Sequence, residues 1–279
     1  MNLLFGAQMV RSTMVWEVPD KRNFQKGIKM QTKILYEDNY IMVVYKPAGI
    51  AVQAGRVGQT DVESELKNYL AAKGGGQAAS GKKLYLGVVH RLDQPVEGLL
   101  VFAKTPKAAA ALNSQLAGDN FCKDYLAVVC GKPEPKKQVL TDYIKKEGGT
   151  AKVCPLSAAG GTAPSESLKT GKSEMPKKAV LSYEVLMTKA VEEKEISMLA
   201  VRLRTGRFHQ IRAQLSHAGY PLLGDAKYGS ETSRKLSQSL QVRNAALCAV
   251  HLLFYHPVTG EKKEYTVNPT QPVFTFLDA

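Results

Sequence analysis

In the stretch Val88–Lys104, which reads Val-Val-His-Arg-Leu-Asp-Gln-Pro-Val-Glu-Gly-Leu-Leu-Val-Phe-Ala-Lys, Asp93 is the residue best placed to do chemistry. It sits two positions after Arg91, in a polar turn between two strand-like apolar runs. No cysteine or metal-ligand pattern lies beside it. A carboxylate set this way can act as a nucleophile or proton acceptor without a cofactor. As an ordinary Arg-x-Asp it would do no more than close the turn or pair with Arg91.

Two further blocks follow in the chain. Lys123–Val129 reads Lys-Asp-Tyr-Leu-Ala-Val-Val. Arg204–Arg212 reads Arg-Thr-Gly-Arg-Phe-His-Gln-Ile-Arg and leads into Gly219–Gly229, Gly-Tyr-Pro-Leu-Leu-Gly-Asp-Ala-Lys-Tyr-Gly. The opening Tyr45–Ile50, Tyr-Lys-Pro-Ala-Gly-Ile, completes an ordered set. Together these blocks resemble the signatures of the RluA-type pseudouridine synthases, over a region from about Lys33 to about Pro269.

The resemblance implies a reaction that breaks a uridine's glycosidic bond, turns the base and rejoins it through carbon. That isomerisation needs no redox change and consumes no water, so neither cofactor nor metal is expected. By the same resemblance Asp93 is the catalytic carboxylate, attacking the nucleotide or taking a ribose proton. Tyr125 stacks on the base. Arg212 pairs with Asp93, since a neighbouring opposite charge favours the ionised carboxylate. His90, Arg91, Lys123, Arg207, His209 and Gln210 fall within the motifs and are the expected substrate-binding groups, with His209 positioning phosphate or backbone rather than acting as a base. Reaching such a pocket from structured RNA means flipping the nucleotide, at a cost on the order of a few kcal/mol. The lysines around Lys132, Lys136, Lys137, Lys145, Lys146 and Lys152 could extend the grip on phosphates or simply solvate a hairpin.

The chain departs from the family pattern at Gln94-Pro95-Val96-Glu97, where many relatives carry Arg-Asp-Thr-Ser, and Glu97 brings a second acid close to Asp93. Cys248 stands where a histidine is common. The stretch ahead of Lys33 leaves no room for the small RNA-binding domain that many relatives carry, so site selection is expected to rest on the catalytic domain's own surface.

Composition agrees with a polyanionic partner. Against 25 Asp and Glu there are 38 Lys and Arg, a formal net charge of +13, and neutralised phosphates release condensed counterions. With 44% hydrophobic and 23% charged residues the chain is globular. Four scattered cysteines without Cys-x-x-Cys spacing read as reduced thiols. The first 29 residues have neither the basic lead nor the apolar core of a signal peptide or membrane span, so they are read as an extension. The expected location is cytoplasmic, the partner ribosomal or transfer RNA, and the simplest oligomeric state a monomer.

The elements that must position these residues are read from periodicity. Strands are expected at Lys33–Tyr36, Tyr40–Tyr45, Leu84–Val89, Gly98–Lys104, Phe121–Val129, Ala179–Thr188, Glu195–Leu203, Leu247–Tyr255 and Lys262–Val267. Helices are expected at Asp61–Ala72, from Thr105-Pro106 to Leu116, and at Phe208–Ala218. Residues 131–178 read as a basic excursion on the catalytic domain, with strands only at Val139–Lys145 and Ala151–Cys154. Ser230–Gln241 reads as a polar loop with room for a short helix. Strands that follow one another directly predict an α+β fold on a mixed or antiparallel sheet, in one catalytic domain over 30–279.

Two other classes compete. Ser64-Glu65-Leu66-Lys67 and Lys169-Thr170-Gly171 match fragments of a serine acyl-enzyme site, but no Ser-Asp-Asn or Ser-x-Asn accompanies them. A non-catalytic RNA-binding protein on the same scaffold would not require Asp93, Tyr125 and Arg212 together.

Overall fold

The computed structural model describes residues 30–55, 58–73, 84–155 and 175–278. The N-terminal extension, the Gly-rich loop and the Lys169–Gly171 match lie outside the described residues. The chain forms two compact units. One comprises the described residues of Ser12–Asp124 with Cys248–Thr270, and carries Asp93. The other comprises Tyr125–Leu247 with Gln271–Ala279, and carries Tyr125 and Arg212.

In the Asp93 unit, β1 (Lys33–Glu37), β2 (Ile41–Lys46), β4 (Glu97–Ala103) and β10 (Leu247–Tyr255) lie side by side in that order. β3 (Gly87–Val88) pairs with β4, and β11 (Lys262–Thr266) with β10. Every residue of β2 and β4 is buried, as continuous apolar runs covered on both faces should be. Pairings are antiparallel except β4 with β10, which run parallel. Helix α1 (Val62–Lys73) buries Val62, Leu66, Tyr69 and Leu70 along one stripe. Helix α2 (Pro106–Ala117) starts as its sequence predicts, with the Thr105 hydroxyl accepting from Ala108 N at 3.1 Å and Pro106 in the first turn.

Gly98 marks the closest approach of β4 to β10. Its φ is +126°, and a Cβ there would lie 2.4 Å from Ala249 O. Replacing Gly98 with Ala therefore forces backbone apart in a fully buried sheet. Thermal melts should show a loss above ~3 kcal/mol, and a Gly98→Ala melt within error of wild type would contradict the packing.

On β10, the His251 imidazole lies between Asp124 (2.9 Å) and Glu264 (3.0 Å). Burial alone would lower its pKa, but hydrogen bonds and charge from Asp124 and then Glu264 prevail and raise it. A raised histidine contributes stability that is complete below the unfolded value, ~6.5, and lost as pH rises through the folded value. A His251→Gln variant should thus be most destabilised in mild acid, with the gap to wild type narrowing on the alkaline side of that range. Paired melts across the range test this.

The second unit orders its strands β5-β9-β8-β6-β7, where β5 is Cys122–Cys130, β6 Lys137–Glu147, β7 Thr150–Pro155, β8 Lys177–Val191 and β9 Lys194–Leu203. The two strands expected inside the excursion are β6 and β7, which form a hairpin. Gly148 and Gly149 take its left-handed turn positions, with φ of 52° and 79°. Helix α3 (Gln210–His217) packs over this hairpin, so that Ala213 joins Ile144, Ala151 and Ala179 in one core cluster, flanked by Phe208 and Tyr228.

Several boundaries differ from the expectations. The expected strand Leu84–Val89 pairs only at β3. Helix α3 begins at Gln210 rather than Phe208, because His209 adopts a left-handed conformation (φ 51°) that ends the preceding loop. The polar stretch Ser230–Gln241 does hold the short helix it left room for, α4 (Glu231–Ser239). The Ser230 hydroxyl caps it by accepting from Ser233 N, and Leu236 anchors it in the core. A last helix, α5 (Pro272–Asp278), was not foreseen.

Candidate active site

Asp93 occupies the turn that joins the β3 region to β4. Val96 N donates to Asp93 O at 3.0 Å, closing the turn with the acid at its first position, where Asp is favoured. The side chain is half-buried, whereas Arg91 and Gln94 beside it are exposed and Leu92 and Val96 face the core. Alternation thus anchors the apolar residues and leaves the carboxylate at the rim.

The turn is stitched to the Tyr45–Ile50 block. Gly49 N donates to Gln94 O at 2.9 Å, and Gln94 Nε2 donates back to Gly49 O at 3.0 Å. Lys46, fully buried, spends its three donors on carbonyls: Ile50 at 2.7 Å, Pro47 at 3.0 Å and Gln94 at 3.1 Å. Neither stitch was read from the sequence, although the Lys-Pro pair ahead of a Gly turn was its visible sign.

His90 is buried, and its Nε2 accepts from Val101 N at 3.3 Å while Phe121 packs edge-on against its ring. Burial first, and then the charge of Lys123, hold its pKa well below the ordinary histidine range. The ring, whose Nε2 accepts from the strand, braces β4. A motif histidine pointing inward from a strand edge looks the same in sequence as one pointing out. Lys123 is partly buried over the Phe121 ring, 5.8 Å from its centroid, and burial brings its pKa to about 8.

In the other unit Tyr125 lies on β5, 5% exposed. Arg212 projects from the first turn of α3 and is 3% exposed. Its Nε and Nη2 donate to the two carboxylate oxygens of Asp225 at 2.7 and 2.8 Å, a bidentate pair that fixes the guanidinium plane. The Tyr228 ring lies 5.2 Å from Cζ. Asp225 also accepts from the amides of Lys227 (2.9 Å) and Tyr228 (3.1 Å). Burial would raise the Asp225 pKa, but the hydrogen bonds and charge of Arg212, with those amides, hold it below the usual carboxylate range. Asp225 is thus a member of the arginine's setting that sequence reading quoted in a motif but gave no role.

The remaining motif residues divide between inside and outside. Gln210 is buried, and its Oε1 accepts from the Thr205 hydroxyl (2.8 Å) and Arg207 N (2.9 Å), so it staples the loop ahead of α3. Arg207 is exposed and braced by Nε donating to Lys178 O at 2.8 Å. His209 stacks on Phe208 with centroids 3.7 Å apart, and its Nδ1 lies 2.8 Å from the Tyr228 hydroxyl, which in turn accepts from Ala151 N. Arg91 and Arg207 face solvent, as do Arg204 and Lys227 of the third block.

A solved structure, the human RNA pseudouridylate synthase domain containing 4, aligns over 88% of this chain and 92% of its own, with a TM-score of 0.65 at 23% identity. The α+β architecture is therefore that of pseudouridylate synthase domains. A family model described as RNA pseudouridylate synthase matches residues 40–217. Ribosomal large subunit pseudouridine synthase D of Zymomonas mobilis is 33% identical over 243 residues, covering 86% of this chain and 69% of that protein. A Bacillus subtilis protein named as an uncharacterised RNA pseudouridine synthase is 32% identical over 228 residues, covering 82% of this chain and 65% of its own length. The chain spans about two thirds of these relatives and belongs to the RNA pseudouridylate synthase family, whose members are isomerases.

Proposed function

We propose that this protein converts uridine to pseudouridine in ribosomal RNA, with Asp93 as the catalytic carboxylate. The observation that carries the reading is the Asp93 turn itself. It is a half-buried acid held by backbone and side-chain stitches from the Tyr45–Ile50 block, in a chain whose family isomerises uridine. Rigid placement of a reacting group is what such a step requires.

Tyr125 is assigned to the base and Arg212 to the charge of the reacting groups, on the strength of the motifs that carry them. The bidentate Asp225 pair supports the second assignment, since it pre-orients a guanidinium that would otherwise sample many rotamers. Arg91 and Arg207, both exposed, are assigned to phosphate. The ribosomal target follows the name of the Zymomonas relative, a ribosomal large subunit pseudouridine synthase. The formal charge of +13 supports a polyanionic substrate. Among the described residues no helix is long and apolar enough to cross a membrane. We place the protein in the cytoplasm as a monomer, since one chain holds the complete motif set.

Tritium release from RNA labelled at uracil carbon 5 tests the reading, with ribosomal and transfer RNA offered separately. Release from the ribosomal pool is the expected result. Release only from transfer RNA would move the substrate class. No release by folded, RNA-bound protein would leave a binding protein.

A further inference from the structure

The β6–β7 hairpin and the adjoining strand β8 have two unlike faces. Ile144, Ala151 and Ala179 turn inward beneath α3 and share a core cluster with Ala213. Alternation along the strands puts Tyr143, Lys145 and Lys152 on the outer face, and the register sets Lys178 directly opposite Tyr143. Lys152 and Lys178 are exposed there, Lys145 and Tyr143 partly so. Other lysines of the region are engaged elsewhere. Lys146 turns inward over the Phe208 ring, 5.0 Å from its centroid, and Lys137 is paired with Glu184 at 2.8 Å.

In the free chain this outer face is poorly satisfied. Lys145 and Lys152 stand directly opposite each other across the hairpin, where like charges repel. Among the described residues no acid pairs with Lys145 or Lys178. Lys152 has only Glu147, 3.9 Å away and exposed like itself, and such a pair contributes little. Tyr143 sits in the middle of these cations, and among the described residues it makes no hydrogen bond and no ring contact.

An anion seated between the lysines removes their repulsion, and a polyanion can do so for all three at once. The ring adds a requirement. A base stacks on an aromatic side chain only when it has left its own helix, and such stacking accepts any base. Positions two apart on a strand lie roughly 7 Å from each other, so the three ammonium groups reach the phosphates beside a nucleotide stacked on Tyr143. The face continues to Arg207, already assigned to phosphate, whose Nε donates to Lys178 O at 2.8 Å. We propose that Tyr143, with Lys145, Lys152 and Lys178 around it, forms a second RNA-binding surface. It holds an unpaired stretch of the substrate on the face of the sheet turned away from α3 and Arg212. The proposal rests on RNA being the substrate, and not on the role of Asp93.

The test measures equilibrium binding of a short unpaired RNA and of a blunt duplex of the same sequence, over a series of salt concentrations, alongside thermal melts. Wild type is compared with Lys145→Gln/Lys152→Gln/Lys178→Gln and with Tyr143→Leu. A control, Lys67→Gln/Lys107→Gln/Lys235→Gln, removes equal charge from helices α1, α2 and α4. The outer-face triple should bind the unpaired RNA at least about tenfold more weakly, with a salt slope shallower by about 2, roughly 0.7 for each lost cation. Its melting temperature should not fall, since the facing ammonium groups are gone. Tyr143→Leu should lose about tenfold on the unpaired RNA, keep the wild-type salt slope and bind the duplex as before. The control triple should bind both RNAs much as wild type does.

An outer-face triple that binds no worse than the control would overturn the proposal. So would a loss at the lysines with Tyr143→Leu unchanged, since the surface would then hold duplex phosphates only. Weaker binding that comes with a lower melt of the lysine triple would make those residues structural and overturn it too. A wild type that binds neither RNA would sink the functional reading together with this one. Wild-type binding that none of these variants alters would sink this one alone.

Discussion

Asp93→Asn is expected to bind RNA with wild-type affinity and to release tritium at least ~10³- to 10⁴-fold more slowly than wild type. The fold should survive the change. The backbone of residue 93 closes the turn through its carbonyl, which Asn retains, and Asn is as well tolerated as Asp at that turn position. What disappears is the negative charge and, with it, both a nucleophile and a proton acceptor. The melting temperature should therefore stay close to wild type while turnover vanishes. The comparison is decisive because the two effects separate. Wild-type turnover in the variant would show that Asp93 only shapes the turn, whereas lost binding would point to misfolding.

Asp225→Asn should produce the largest stability change among single substitutions at this set of residues, on the order of 3–5 kcal/mol. Arg212 and Asp225 are both buried, and their bidentate contact would be replaced by an amide that presents one acceptor and one donor to a fixed cation. The amides of Lys227 and Tyr228 would lose the charge they now face. The pH dependence follows from the sign of the shift. Because Asp225 is lowered in the folded state, its contribution is present above the unfolded carboxylate value of ~3.9 and is lost as pH falls through the folded one. The gap between wild type and variant should be full at neutral pH and close in strong acid. Equilibrium denaturation at several pH values measures it, and a gap that persists unchanged into acid would show that the pair is not the source. Turnover should fall as well, since Arg212 would lose the partner that holds its plane.

Much of the local structure around the motifs was legible in the chain. The Asp93 turn, the strand carrying Tyr125 and the helix carrying Arg212 each sit in a short segment whose apolar periodicity and punctuation specify its conformation. The same holds for the Thr105-Pro106 cap and for the two strands inside the basic excursion. Their hydrogen bonds close within a few residues, so neighbours in sequence suffice to predict them.

Other features depended on where a side chain points once distant strands are packed. His90 and Gln210 both turn inward, His90 Nε2 accepting from the β4 backbone and Gln210 Oε1 from the loop ahead of α3. Ser230–Gln241 reads as a polar loop with room for a short helix, and the helix forms because Leu236 finds a core to bury in and Ser230 a turn to cap. The Asp225 partner of Arg212 lies thirteen positions away, and Glu97 reaches Thr270 across 173. Residue types and order determined the family. Which of the motif groups are buried, and which charges hold the others in place, was decided by tertiary packing, because desolvation and counter-charge exist only once distant segments meet.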